Sequence, residues 1–124
     1  MELRRLDHVS LNVSDRPRSI AWYRDVLGLE QRGNARRDDW PVFMGDFGAC
    51  VALFQAQVES PDRAPESTGL RHVAFMVGRE DLAAAQERLR ERGVEFWLED
   101  HGNAHSLYFP DPDGNVIELT TYEL

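Results

Sequence analysis

Polar and apolar positions along this chain of 124 residues alternate between two periods. Residues 6–13, LDHVSLNV, change character at every second position. Val9, Leu11 and Val13 share one side of a predicted strand, and His8, Ser10 and Asn12 share the other. Residues 15–29 switch to helical spacing. Asp15 stands as the N-cap, Pro17 falls in the first turn, and Ile20, Tyr23, Val26 and Leu27 make an apolar stripe that Gly28 ends. Trp22 and Tyr23 read as packing residues of that helix. Strand-like runs follow at residues 40–44 and 49–55 around a Gly45-Asp46-Phe47-Gly48 turn, with a shorter strand at about 29–34.

The second half repeats the first. LRHVAFMV, residues 70–77, matches LDHVSLNV in its Leu, His, Val and final Val at an offset of 64 residues. A helix over 79–93 places Leu82, Ala85 and Leu89 on one face and stops at Gly93. Strands are predicted at 94–98, 106–109 and 116–121, the last two joined by Asp111-Pro112-Asp113-Gly114. Each half reads β-α-β-β-β. Residues 59–69, rich in Pro, Ser and Glu, read as a linker. The expectation is one α+β domain over 1–124, with module one at about 1–58 and module two at about 70–124. The modules are expected to be related by a pseudo-twofold, with two curved mixed sheets facing each other.

A second alignment places Gly48 of GDFGACVALF on Gly114 of DPDGNVIELT, at an offset of 66, so that Ala52 corresponds to Glu118. Glu118 shares a strand face with Val116 and Thr120, while Ile117 and Leu119 take the helix-covered side. His8, His72 and Glu118 thus all oppose the apolar face of their strands. Two neutral imidazoles and one carboxylate on rigid strands suit a divalent ion, Fe(II) foremost, with Mn, Ni, Co and Zn also able to use such a set. Ala52, where a fourth ligand would stand, leaves coordination positions for substrate or oxygen.

Composition narrows the function classes. The net charge of −8 disfavours a nucleic-acid binder or a polybasic membrane surface. No stretch is apolar enough to span a bilayer, and no signal-peptide pattern opens the chain. The single cysteine, Cys50, excludes an intrachain disulfide, reads as a small buried hydrophobe and suits a reducing cytoplasm.

The segments LDHVSLNV, YRDVLGLE, LRHVAFMV and YFPDPDGNVIEL resemble the vicinal oxygen chelate superfamily, the glyoxalase/bleomycin-resistance/dioxygenase group, over nearly the whole chain. The resemblance implies paired βαβββ modules forming a cup, with helices on the outer face and a divalent metal held by His8, His72 and Glu118. It also implies a homodimer whose metal sites are shared between subunits, and a small-molecule substrate. Within the group, a glyoxalase-like lyase uses a fourth ligand where this chain has Ala52, and Gln55 falls on the other strand face. A fosfomycin-resistance-like thiol transferase needs cations for a phosphonate; LEDHGNAHSLYF holds none, and Arg36, Arg37 and Arg71 are not placed at the metal by the sequence.

Extradiol dioxygenases carry a terminal signature that His101, Leu107-Tyr108, Asp111-Pro112, Gly114 and Glu118 resemble, with Glu99 a departure where a small or aliphatic residue is expected. By that likeness His101 and Tyr108 position a catechol-type substrate; separately, Trp40, Phe54, Trp97 and His105 are expected to line its site. A second departure is that residues 56–71 contain no histidine to serve as the group's further acid/base. A metal-free drug-binding module of the bleomycin-resistance type suits the acidic charge but does not need the three ligands. The reading favoured here is a metal-dependent dioxygenase.

Overall fold

The computed structural model describes residues 1–33, 37, 39–58 and 67–124. The chain forms two compact units, Met1–Pro61 and Asp62–Leu124. In the first, β1 (Val9–Val13) leads to α1 (Arg16–Leu27), then β2 (Gln31–Arg32), β3 (Val42–Asp46) and β4 (Ala49–Gln55). The sheet order is β1-β4-β3-β2, with β1 parallel to β4 and the other pairs antiparallel. The period-two reading of β1 holds, since Leu11 and Val13 are buried and Ser10 and Asn12 exposed. α1 packs on β3 and β4 through buried Tyr23 and Val26.

The helix begins and ends as its sequence dictates. The Asp15 carboxylate accepts from the Arg18 amide at 3.1 Å, and Gly28, at φ 71°, donates to the Arg24 carbonyl at 3.0 Å. Gln55 adds a long-range cap: its side chain accepts from the Arg16 amide at 3.0 Å and donates to the Ser14 carbonyl at 2.8 Å. That places it on the helix side of β4, as the alternation predicts.

The second unit runs β5 (Val73–Met76), α2 (Arg79–Glu91), β6 (Trp97–Asp100), β7 (His105–Pro110) and β8 (Val116–Thr121). Its order, β5-β8-β7-β6 with β5 parallel to β8, repeats that of the first unit. The registers repeat as well: Val9 faces Val51, and Val73 faces Ile117. Those four positions are related by the same offsets of 64 and 66 that align the motifs. Leu82 and Leu89 bury the inner stripe of α2, which packs on β7 and β8. Gly78 cannot cap α2 through a side chain. The Glu123 carboxylate, from beyond β8, accepts from the Arg79 amide at 2.9 Å instead.

Several boundaries differ from the pattern. β1 and β5 start one residue after His8 and His72, so both imidazoles stand at strand entrances. The strand expected at 94–98 pairs instead over Trp97–Asp100. Gly93, at φ 68°, turns the chain out of α2, and Val94 still bonds back to the Leu89 carbonyl at 2.9 Å. The intervening residues therefore carry the chain to the sheet before Trp97 meets Tyr108. In the first unit β3 extends through Gly45, leaving a two-residue turn at Phe47-Gly48. Gly45 sits at φ 95°, where a Cβ would lie 2.0 Å from the Ala49 carbonyl oxygen, so only glycine continues the strand there. Residues 59–66 of the expected linker, and Arg36, lie outside the described residues.

The turn between β7 and β8 is built by one buried side chain. Asp111 Oδ1 accepts from the Asp113 and Asn115 amides at 2.9 and 2.8 Å, and Oδ2 accepts from Asn115 Nδ2 at 2.9 Å. Gly114 supplies the left-handed residue at φ 82°. This turn sets the register that puts Tyr108 opposite Glu118. Asp111→Ala strips three charge-assisted bonds from a buried position and is expected to cost about 2–4 kcal/mol. Denaturant unfolding of the variant checks this; a loss under about 0.5 kcal/mol would show that the turn holds without it.

Candidate metal centre

Parallel pairing of β5 with β8 assembles the core of the site in the second unit. Ala74 is the register partner of Glu118, and His72, two residues earlier, projects from the same side. His72 Nε2 lies 3.0 Å from Glu118 Oε2. Glu118 is 8% exposed, and of the strand residues on its face (Ala74, Met76, Val116, Thr120, Ser106, Tyr108, Pro110, Trp97 and Glu99) none is Arg or Lys. A carboxylate withdrawn from water needs a cation or a set of donors. The two atoms also stand at the separation of adjacent ligands on one ion, about 3.0 Å for octahedral bonds of roughly 2.1 Å. The pair thus has donor chemistry and spacing that fit a divalent metal, and the same 3.0 Å is also that of a direct imidazole–carboxylate ion pair. No group of three His, Cys, Asp or Glu able to hold an ion closes among the described residues.

His8, the repeat equivalent of His72, belongs to the first unit. Its Nδ1 is 2.6 Å from Asp7 Oδ2, and its ring meets Phe43 edge-on at 5.3 Å. When Nδ1 donates that hydrogen bond, Nε2 of the neutral ring is bare, the state a metal ligand requires. The imidazole hydrogen bond holds the Asp7 carboxyl below its ordinary range. The β1–β4–β3–β2 row on this face reads Ser10, Ala52, Phe43 and Arg32. The equivalent row in the second unit reads Ala74, Glu118, Tyr108 and Trp97. Only the second unit places a carboxylate and a phenol there. Ala52 is fully buried.

Around Tyr108 the structure gathers three further side chains. Trp97 stacks on its ring at 5.4 Å and 9°. His101 Nε2 lies 3.1 Å from its hydroxyl, and His72 meets its ring edge at 5.8 Å. Burial, then the neighbouring Glu118 carboxylate, push the Tyr108 phenol above the ordinary tyrosine range, with a hydrogen bond to Ser106 working against them.

The remaining expected residues each take a place within their own unit. His105 alternates onto the opposite face with Leu107 and Phe109, 3.7 Å from Asp100 Oδ1. Phe54 shares the Ala52 face of the first unit, and Trp40 lies ahead of β3 with Arg37 over its ring at 5.9 Å. Cys50 is buried as expected, with Arg32 Nη2 at 3.4 Å from its sulfur. Two carboxylates escaped the sequence reading as contacts. Asp7 on His8 is visible in the Asp-His dipeptide; Glu99, 3.5 Å from His101 Nε2, emerges only once β6 and the loop after it are folded. No helix among the described residues is long and apolar enough to cross a membrane.

Comparison with known proteins agrees with this architecture. Residues 5–119 match the Glyoxalase/Bleomycin resistance protein/Dioxygenase superfamily, and the chain belongs to that family. It is 32% identical to glutathione transferase FosA of Serratia marcescens over 94% of this chain and 80% of that protein. It is 34% identical to biphenyl-2,3-diol 1,2-dioxygenase 3 of Rhodococcus globerulus over 93% of this chain but only 62% of that protein, so it spans about three-fifths of the dioxygenase. A glyoxylase/bleomycin resistance protein/dioxygenase domain from Frankia sp. EAN1pec superposes with a TM-score of 0.83 at 26% identity, covering 98% of this chain and 94% of that one.

The raised phenol has a consequence for stability. The folded state holds the Tyr108 proton more tightly than the unfolded chain, so its contribution is complete below about pH 10 and is lost as pH climbs through the folded value. Denaturant unfolding of the metal-free protein between about pH 8 and 11 is expected to show an alkaline loss that Tyr108→Phe reduces. Identical pH profiles would place the ionisation elsewhere.

Proposed function

We propose that this protein is a divalent-metal-dependent enzyme acting on a small aromatic with two vicinal oxygens, a catechol-type substrate, in the manner of an extradiol dioxygenase. The observation that carries the reading is the 3.1 Å contact between His101 Nε2 and the Tyr108 hydroxyl, on the face where His72 meets Glu118. These are the residues that the dioxygenase signature pairs. His72, Glu118 and His8 would hold the metal, Fe(II) by preference, with His8 drawn from the first unit of the same chain or of a second copy. Bound there, the ion would supply Lewis acidity to the substrate oxygens and open positions for substrate and oxygen. Tyr108, kept protonated, donates a hydrogen bond to a substrate oxygen, and His101 orients that phenol. Trp97 backs Tyr108 and offers an aromatic wall. A homodimer in a reducing cytoplasm suits this reading.

A thiol transferase is the second reading, favoured by the fuller coverage of the Serratia transferase. The chemistry of the face weighs against it, because Glu99 brings negative charge and the strand positions of that face hold no Arg or Lys for an anionic substrate.

Metal analysis after anaerobic purification is expected to find one ion per chain in the wild type. His72→Ala and Glu118→Gln should each weaken affinity more than about 100-fold, and Asp7→Asn about 10–100-fold. Oxygen uptake with a panel of catechols then tests the reaction. Uptake by the iron-loaded wild type no faster than by Glu118→Gln would discard the dioxygenase reading, and thiol consumption with an epoxide would support the transferase.

Mixing His8→Ala with Glu118→Gln tests where His8 acts. A site shared between subunits is restored in mixed dimers, one intact site of two, giving about a quarter of the wild-type sites at equal mixing. A site within one chain stays empty in every combination.

A further inference from the structure

We propose that Glu99 is a positioning residue that places the His101 proton on Nε2 and so sets the direction of the His101–Tyr108 hydrogen bond. The alternation of β6 puts Trp97 and Glu99 on the same face as Tyr108 and Glu118, with Glu99 opposite Ser106. The His101 ring follows in a pinned turn. Its amide donates to the Ala104 carbonyl at 2.9 Å, and the Gly102 amide donates to Asp100 Oδ1 at 2.8 Å. One nitrogen, Nε2, consequently faces two oxygens, the Tyr108 hydroxyl at 3.1 Å and Glu99 Oε2 at 3.5 Å.

These two neighbours make different demands. A phenol can donate or accept, whereas an ionised carboxylate only accepts and repels a bare lone pair. Both are satisfied when Nε2 carries the proton. His101 then donates to the Tyr108 oxygen, and the phenolic hydrogen is free to point at Glu118 or at a substrate oxygen. With Nε2 bare, Tyr108 would spend its hydrogen on His101, and the buried Glu118 carboxylate would lose that donor. Glu99 therefore selects the arrangement in which Tyr108 faces the reacting centre as a donor. An aliphatic side chain at 99, which the dioxygenase likeness leads one to expect, exerts no such preference. The catalytic consequence rests on the function proposed above; the proton placement does not.

The test reads the proton directly. Long-range ¹H–¹⁵N correlation spectra of the metal-free, ¹⁵N-labelled protein at about pH 8, where a free imidazole is neutral, report which ring nitrogen is protonated. Loss of one signal set in His101→Asn assigns the ring. The wild type is expected to show Nε2 protonated and Nδ1 bare. Glu99→Val should lower the Nε2–H to Nδ1–H ratio about two- to fivefold, the scale of one half-exposed charge contact, while Glu99→Asp keeps most of it. A wild-type Nδ1–H tautomer, or a ratio in Glu99→Val equal to the wild type, would overturn the proposal. Thermal melts of the variants guard against a folding defect, which an exposed edge strand makes easy to avoid. In the iron-loaded enzyme, Glu99→Val should lower kcat for a catechol with KM within about twofold. If the wild type cleaves no catechol, the reaction assigned above fails while the tautomer result still decides the role of Glu99.

Discussion

Glu118 is a carboxylate held out of water on an interior strand, and what surrounds it constrains the rest of the second unit. Its compensation comes from His72 at 3.0 Å and the phenol opposite, with no Arg or Lys on the strand positions of that face. Burying charge with so little return is costly, and a site that captures a cation is one way for a fold to recover that cost. The Asp111 turn serves the same end from below, since it holds the β7–β8 register that keeps Tyr108 across from Glu118.

Duplication explains why the chemistry is lopsided. Both units share one topology and one register, and both bring a histidine to the entrance of their first strand. The row that follows has diverged, to Ala52, Phe43 and Arg32 in the first unit and to Glu118, Tyr108 and Trp97 in the second. The first keeps an imidazole oriented by Asp7; the second keeps the carboxylate and the aromatic groups. Sheets of this kind tolerate such divergence because the site face and the core face alternate along each strand. Leu107, Phe109 and Ile117 stay packed beneath α2 while their neighbours change.

Family membership leaves the reaction open, because relatives of similar identity include a glutathione transferase and a dioxygenase. Discrimination falls to the side chains around Tyr108. In the function proposed above, the His101–Tyr108 contact is what supports a substrate held by its oxygens, and Glu99 is what counts against a phosphonate. Glu99 is also the residue least explained by the family likeness and the one that bears on where the His101 proton resides.

Much of this was legible in the amino-acid order. Period-two runs and a helical stripe repeated about 64 residues apart already determine two βαβββ units, and Asp15, Gly28 and the DPDG turn mark their boundaries by local backbone preference alone. The same alternation separates the face of Glu118 from the face of Gln55. Strand ends were less legible, because Trp97 joins the sheet only where α2 and Gly93 let the chain reach β7. Caps supplied by Gln55 and Glu123 come from 39 and 44 residues away, and no local rule anticipates them. Sequence by itself determined which residues share a strand face, because that follows from backbone geometry. Tertiary structure alone decided that His72 stands 3.0 Å from Glu118 and that Glu99 and Tyr108 meet at one nitrogen of His101, because those distances depend on strand pairing and loop closure.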